Sequence, residues 1–374
     1  MVNNGNTYDG GYCFVQTADI NLGGHEWYPI GGELYQFQGS YDGQNFDITG
    51  LILVDYNLTF SGLFGYVDCG EMKNINLINP YITSKKEHVA GIVGAANESV
   101  IINCHVKGGY ISADSGKVAG IHGGAYGAKI IDCSNSADIY SSYYSVGGIA
   151  GWTNGDMARI ENCINYGRVE GNSATIQVGG ICGLMIGWGT IIDCVNNGNV
   201  KGRNSVGGIV GNAEAKIYSC MSNCIVEQTN TEYQGLGGIL GTVYTQGTSE
   251  VKNCVANVTL ISAVTSAEQT GLIIGCGDGD ITTNPIVENC SFNGSSNVSG
   301  ARFVGTFGLP ASDVSNSYAI INQDKIYSNG DFSGFALEAG FNKGLPAQKA
   351  LYWAMSVVPS IDVSWFSANG FRKV

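Results

Sequence analysis

The sequence predicts an all-β protein: a right-handed parallel β-helix, built from coils of about 30 residues, with a cap at each end. Three observations predict this fold. A Gly-x-x-Gly phrase recurs with its closing glycine at positions 65, 94, 123, 151, 183, 211 and 241, and degenerate copies end at 275 and 305. A small polar residue followed by cysteine recurs about ten residues after the phrase, from Asn103-Cys104 to Asn289-Cys290. Short alternating runs lie between the two phrases, and residues 60–305 lack helical periodicity.

Each repeat is predicted to form one coil of three short strands and three polar turns, with every strand paired to its equivalents in adjacent coils. Equivalent residues would then stack as interior ladders, one of isoleucines and one of cysteines. The isoleucine ladder comprises Ile92, Ile121, Ile149, Ile181, Ile209, Ile239 and Ile273. The paired glycines are expected where φ is positive or where two backbones pass closely. Right-handed winding is expected because nearly all parallel crossovers have that hand.

The sequence divides into three regions. Residues 1–60 are predicted to form the N-terminal cap and first coils, and residues 61–305 the repeats. Residues 306–374 carry no copy of the phrase and are rich in aromatic side chains. Within them Leu345 to Val357 is predicted to be a short helix, with Pro346 in its first turn. This region is interpreted as a C-terminal cap or, alternatively, as a docking segment through which the chain could self-associate.

The repeat phrases resemble those of the GLUG repeat of bacterial surface proteins, which pairs Gly-Leu-Phe-Gly or Gly-Gly-Ile-Val-Gly with Ile-x-Asn-Cys. Residues 17–24, 27–31 and 37–43 resemble the segment that commonly opens such arrays. The resemblance covers residues 15 to 305. That family occurs in secreted adhesins and beside immunoglobulin A protease domains, so the resemblance implies an extracellular or cell-surface location.

Composition narrows the possible partners. The chain has 18 basic and 31 acidic residues, a formal charge of −13, and only 13% charged residues. A negative chain without clustered Lys and Arg is not expected to bind nucleic acid. No apolar run is long enough for a membrane span, and the first residues do not form a signal peptide. The chain is therefore interpreted as part of a longer secreted protein, or as one exported by another route.

No metal or cofactor is predicted. The twelve cysteines include no Cys-x-x-Cys pair, and His25-Glu26 lacks the second histidine of a zinc-protease helix. The acidic turns do not provide the six oxygens that calcium requires. The seven in-phase cysteines are interpreted as small buried hydrophobic residues, because flat stacking gives poor disulfide geometry. His122, inside a repeat phrase, is expected to be partly buried and hydrogen-bonded.

Two acidic residues precede in-phase cysteines, namely Asp132 and Asp193, and Glu161 lies in the coil between them. Two coils separate them, about 9–10 Å, which is near the upper limit of carboxyl separations in inverting glycosidases. These three residues are therefore candidate catalytic residues. The alternative is that they are ordinary turn residues, as Asn and Ser are in other coils.

Aromatic residues often follow the Gly-x-x-Gly phrase or lie on neighbouring loops. If these turns share one edge, their rings form a file suited to stacking on sugars or anchoring a protein. The candidate ligand-binding residues are Trp152, Trp188, Tyr126, Tyr143, Tyr144 and Tyr244, with the two tryptophans as the leading candidates. The alternative is that the rings fold back and cover the coil edge.

These features favour a non-catalytic extracellular adhesion module that presents loops to a glycan or a host-surface protein. One alternative is a polysaccharide hydrolase or lyase that acts in an outer groove of the β-helix. Another is a mechanical spacer or a viral tail appendage, which would assemble through residues 306–374 and bind no small glycan.

Overall fold

The predicted all-β solenoid is confirmed. The computed structural model describes residues 11–23, 25–55, 57–172, 175–230, 235–244, 248–263, 267–277, 285–298, 301–305, 313–315, 317–321 and 325–327. These residues contain 44 strands and no helix, and they wind into about nine turns. The predicted helix 345–357 and most of the predicted C-terminal cap lie outside the described residues.

The first strands are β1 Cys13–Val15, β2 Ile20–Asn21, β3 Ser40–Asp42, β4 Asp47–Thr49, β5 Ile52–Asp55, β6 Phe64–Asp68, β7 Glu71–Lys73, β8 Asn76–Ile78, β9 Tyr81–Ser84, β10 Val89–Ala90, β11 Val93–Asn97, β12 Val100–Ile102, β13 His105–Lys107 and β14 Tyr110–Ala113. The middle strands are β15 Val118–Ala119, β16 His122–Tyr126, β17 Lys129–Ile131, β18 Ser134–Asn135, β19 Asp138–Ser141, β20 Tyr144–Gly147, β21 Ala150–Asn154, β22 Arg159–Glu161, β23 Ile164–Asn165, β24 Val169–Gly171, β25 Thr175–Gly179, β26 Cys182–Ile192, β27 Val195–Asn196, β28 Val200–Gly202, β29 Val206–Gly207 and β30 Val210–Tyr218. The last strands are β31 Met221–Ser222, β32 Ile225–Gln228, β33 Leu236–Gly237, β34 Leu240–Val243, β35 Glu250–Lys252, β36 Val255–Ala256, β37 Thr259–Ser262, β38 Thr270–Gly277, β39 Ile286–Glu288, β40 Ser291–Ser296, β41 Arg302–Val304, β42 Asp313–Ser315, β43 Tyr318–Ile321 and β44 Lys325–Tyr327.

Strands of successive coils pair in parallel and in register. In the phrase region, Val93 of β11 lies between Phe64 of β6 and His122 of β16. All strand pairs among the described residues are parallel except β43 with β44, which is antiparallel. This pairing stacks equivalent residues about 4.8 Å apart along the solenoid axis.

A typical coil has five strands rather than the predicted three. The coil at residues 89–113 contains β10 to β14, and its first three strands belong to one 24-stranded sheet. The additional breaks between strands within a coil have local causes. The phrase at residues 91–94 makes a tight arch, and Glu98, with φ of 43°, ends β11. A second left-handed residue, Asn103 with φ of 50°, ends β12.

Both predicted interior ladders are present. The seven isoleucines of the phrase are buried, each at 0% exposure. The seven in-phase cysteines are also buried and carry no disulfide. Each buried thiol donates to a backbone carbonyl two residues earlier, as from Cys163 to Glu161 at 3.2 Å. They therefore pack as small core residues, as predicted.

The glycines that open the phrases are required by close approach and not by positive φ. At Gly148, an added Cβ would overlap the Asn165 side chain and the Gly180 carbonyl. Asn165 belongs to a buried amide ladder, in which Asn135 donates to Asn165 and Asn165 to Asn196, each at 2.9 Å. Glycine in the arch thus leaves room for the amide ladder facing it.

Candidate functional site

A column of left-handed turns runs along one edge of the solenoid, at the ends of β11, β16 and β21 and within β26. Its members are Glu98, Gly127, Gly155 and Gly187, with φ of 43°, 61°, 107° and 78°. Backbone amides join successive turns: Glu98 donates to the Tyr126 carbonyl at 2.8 Å, and Gly127 donates to the Asn154 carbonyl at 2.8 Å. We call this set the edge-turn column.

The edge-turn column contains a gap. Glu98 carries a side chain and Trp188 follows Gly187, but Gly127 and Gly155 between them carry none. An added Cβ at Gly155 would have no atom of another residue closer than 3.6 Å. The missing side chains leave a pocket of about 340 Å³. Its lining residues are Glu98, Ser99, Val100, Tyr126, Gly127, Lys129, Asn154, Gly155, Asp156 and Met157.

Tyr126 provides the exposed ring of this pocket. Its side chain is 56% exposed, and the neighbouring Met157 is 64% exposed. Trp152 packs edge-on against Tyr126, with ring centroids 4.9 Å apart and an interplanar angle of 87°. The Lys117 ammonium lies over the Trp152 ring, 5.2 Å from its centroid. Trp152 therefore braces Tyr126, and Tyr126 is the ring that can stack on a ligand.

Three charged side chains at the pocket have no salt-bridge partner among the described residues, namely Glu98, Lys129 and Asp156. The adjacent coil differs, because Arg159, which is in register with Lys129, binds Glu161 at 2.6 Å. The pocket thus combines two unpaired carboxylates, one unpaired ammonium group, a tyrosine ring and the Asn154 amide.

Glu87, His88 and Lys117 form a half-buried charged cluster that contacts Trp152 through Lys117. Lys117 binds Glu87 at 2.9 Å and lies 3.2 Å from Nε2 of His88. Burial lowers the pKa of His88 to about 4, and the nearby Lys117 charge adds to the effect. Neutral His88 can then accept a hydrogen bond from the Lys117 ammonium through Nε2. Gly124, whose position faces the His88 ring, leaves the space for it.

His122 differs from its expected environment. The prediction of a partly buried, hydrogen-bonded histidine is wrong: His122 is fully buried, and neither ring nitrogen has a partner among the described residues. It pairs in register with Val93 and Ala150 in an apolar column. Burial, and secondarily the proximity of His88, lowers its pKa to about 3. His122 is therefore neutral at physiological pH.

The candidate catalytic residues do not line the pocket. Asp132 and Asp193 occupy left-handed turns, with φ of 55° and 54°, like Asn162 between them. Asp132 accepts a hydrogen bond from the Asn162 amide at 2.6 Å. Glu161 binds Arg159, and that hydrogen bond lowers the pKa of its carboxyl. A carboxyl with a lowered pKa is a poor general acid at neutral pH.

The candidate aromatic residues are distributed over several positions. Trp188, 37% exposed, lies one coil beyond the pocket, where Gly187 packs on Asn154 and Gly155. Tyr143 and Tyr144 contact each other on a separate turn, with centroids 4.1 Å apart. Tyr244 is half-buried and follows β34, four coils from Tyr126. The structure brings Tyr126 and Trp152 into contact, with Trp188 nearby, and leaves the other three apart.

Sequence reasoning missed most of the pocket lining, including Glu98, Lys129 and Met157, and considered Gly155-Asp156 only as an acidic turn that could hold calcium. The available signal was a glycine four residues after each of three successive phrases, at positions 127, 155 and 187, of which the first two line the pocket. Among the described residues, no group of three or more His, Cys, Asp or Glu side chains could hold a metal ion.

Comparisons with known proteins give two matches. A protein of Evansella cellulosilytica named "Putative Gly-rich membrane protein" is 35% identical over 92 residues, which are 23% of this chain and 10% of that protein. The match thus spans about a tenth of the relative's length. A crystal structure from Bacteroides ovatus, described as a "putative immunoglobulin A1 protease", is 19% identical and covers 87% of this chain and 75% of that chain, with a TM-score of 0.43. No family model matches the chain.

The part of the chain that the structure describes has no helix long and apolar enough to cross a membrane.

Proposed function

We propose that this chain is a non-catalytic, surface-exposed module of GLUG-like repeats that binds glycan in the pocket beside Tyr126. The observation that carries the proposal is the pocket itself: an exposed tyrosine ring beside unpaired carboxylate, ammonium and amide groups. Sugar-binding sites need a flat apolar surface for the ring face and polar groups for the hydroxyls. Tyr126, Asn154 and Lys129 lie on paired strands, and Glu98 and Asp156 lie in the turns that directly follow paired strands, so little ordering is needed on binding.

The proposal includes a cell-surface or extracellular location and a glycan or glycosylated host protein as partner. The repeat phrases and their resemblance to surface-protein repeats support it, as does the similarity of 92 residues to the Evansella cellulosilytica protein named "Putative Gly-rich membrane protein". Trp152 acts by holding Tyr126, and Trp188 extends the surface by one coil.

The test is a glycan array probed with the intact chain, together with an assay for reducing ends released from the same glycans. We expect binding without release. The Tyr126→Ala variant should bind at least about tenfold more weakly, since loss of a central aromatic anchor costs about 1.4 kcal/mol or more.

Tyr166→Ala is the matched control, because Tyr166 is also 56% exposed but lies on a different turn. Equal loss in both variants, or no loss in either, would contradict the assignment of the pocket. Release of reducing ends that the Asp132→Asn and Asp193→Asn variants lack would instead identify a hydrolase or lyase.

A further inference from the structure

The charges of the pocket define the class of sugar it accepts. Glu98 and Asp156 each contribute one negative charge and Lys129 one positive charge, and none of the three has a salt-bridge partner among the described residues. One carboxylate therefore remains uncompensated. From this balance we propose, on the basis of the proposed function, that the pocket binds a sugar that carries one free ammonium group, such as a 2-amino sugar.

The positions of the two carboxylates support a single bound sugar ring. Glu98 lies in the edge-turn column two coils from Gly155, and Asp156 follows Gly155, so about 9.5 Å of the solenoid axis separates the two backbone positions. Tyr126 and Gly127 lie between them. A ring stacked on Tyr126 would thus have a carboxylate towards each end of the pocket.

Lys129 offsets the charge of one of the two carboxylates. Its neighbours in register are Val100 and Arg159, and the Arg159 guanidinium is already bound to Glu161. The Lys129 ammonium is therefore available to one pocket carboxylate, and the other is left for the ligand. The Tyr126 ring would also attract the ammonium group of the ligand, because the face of an aromatic ring interacts favourably with a nearby cation.

The charge of the whole chain acts in the same direction. A formal charge of −13 creates a field that attracts cations and repels anions. Uronic acids and other acidic sugars would meet both this field and the unpaired carboxylates. The pocket is therefore selective against acidic sugars, and its preference for an amine weakens as salt is added.

The experiment compares two ligands with the same sugar backbone, one with a free, positively charged 2-amino group and one in which that group is acetylated and neutral. Oligomers of glucosamine and the same oligomers fully N-acetylated are titrated calorimetrically into the intact chain, at slightly acid pH and low salt. We expect the free amine to bind at least about tenfold more tightly, as for a charge-assisted hydrogen bond. The double variant Glu98→Gln, Asp156→Asn should lose this preference but retain the wild-type thermal unfolding midpoint.

Asp193→Asn is the control, because it removes one negative charge outside the pocket and introduces the residue found at the equivalent position 162. It should keep the preference for the amine. Equal binding of the two oligomers, or preference for the N-acetylated one, would overturn this inference while Tyr126-dependent binding still supports the proposed function. Tyr126-dependent binding of an acidic glycan would also overturn it. A glycan array without any Tyr126-dependent signal would overturn both proposals.

Discussion

His122 is a polar side chain in a column of buried, mostly apolar residues. Other coils place Val93, Ala150 or Cys182 at this level, all of them buried. The imidazole has two ring nitrogens without partners among the described residues, and an unsatisfied buried polar group costs about 1–3 kcal/mol. We therefore expect His122→Val to increase the free energy of unfolding by about that amount, measured by chemical denaturation.

The same residue predicts a dependence of stability on pH. The pKa of His122 is lowered from 6.5 to about 3 on folding and that of His88 to about 4, so the unfolded state binds more protons below neutral pH. The contribution of these two histidines to the free energy of unfolding is therefore fully present above pH 6.5. It is lost progressively as the pH falls towards their pKa values in the folded state. Each histidine contributes a slope of about 1.4 kcal/mol per pH unit.

The measurement is denaturant unfolding of the wild type and His122→Val across that range. The advantage of the variant should grow as pH falls, since it lacks one of the two histidines. Parallel profiles would show that His122 is hydrogen-bonded or solvated in solution.

At the scale of elements, the buried amide ladder fixes the register of β18, β23 and β27. The Asn165 amide donates to Gly167 at 2.8 Å and to Asn196, and it accepts from Asn135. Asn165→Asp removes the donor and buries a charge, so we expect a loss of about 3 kcal/mol or more in unfolding free energy. Asn253→Asp, in a half-buried turn, is the matched control and should change stability by less than about 0.5 kcal/mol. Similar losses in both variants would contradict the role of the ladder.

The cysteine ladder predicts a pattern of thiol reactivity. Burial raises the pKa of thiols such as Cys133, Cys220 and Cys290, and a thiol that remains protonated reacts slowly. Only Cys13 and Cys69 are exposed. A thiol reagent should modify these two accessible cysteines first in the native chain, and all twelve after denaturation. Cys69 should react more slowly than an ordinary exposed thiol, because partial desolvation and the nearby Asp68 and Glu98 carboxylates raise its pKa. Rapid native reaction of more than three would indicate that the coils open readily.

The repeated phrases determined which ladders could be predicted. Ile92 and Cys104 have equivalents at a constant place in each repeat, so their stacking followed from the sequence. Asn135, Asn165 and Asn196 recur only three times, and a polar residue two positions after cysteine reads equally well as a turn. The site was predicted in part for a similar reason: Trp152 and Tyr126 are visible in the sequence, but the pocket results from side chains that are absent.

At the scale of the molecule, each coil contacts mainly its two neighbours, so damage should remain local. The Cα of Gly208 faces the Ser222 side chain and the Gly238 carbonyl. We expect Gly208→Val to increase hydrogen exchange in residues 179–230 and 235–241, where the contacting coils lie, and to leave residues 63–113 unchanged.

Gly32→Val is the control for this variant, since no atom lies within 4 Å of a Cβ added there and its φ is not positive. It should exchange like the wild type. Uniform acceleration along the whole chain after Gly208→Val would show that the solenoid unfolds as one cooperative unit.

Gly127 and Gly155 occupy the same turn position in neighbouring coils, and this has a consequence for how the binding site of such a protein can change in evolution. Because every coil presents its turn at the same place, a cavity can be opened by exchanging a left-handed residue such as Glu98 for glycine, whereas closing it at Gly155, with φ of 107°, would strain the backbone. Binding sites on this scaffold can therefore shift along the axis in whole coil steps, so one backbone can acquire new specificities by single substitutions.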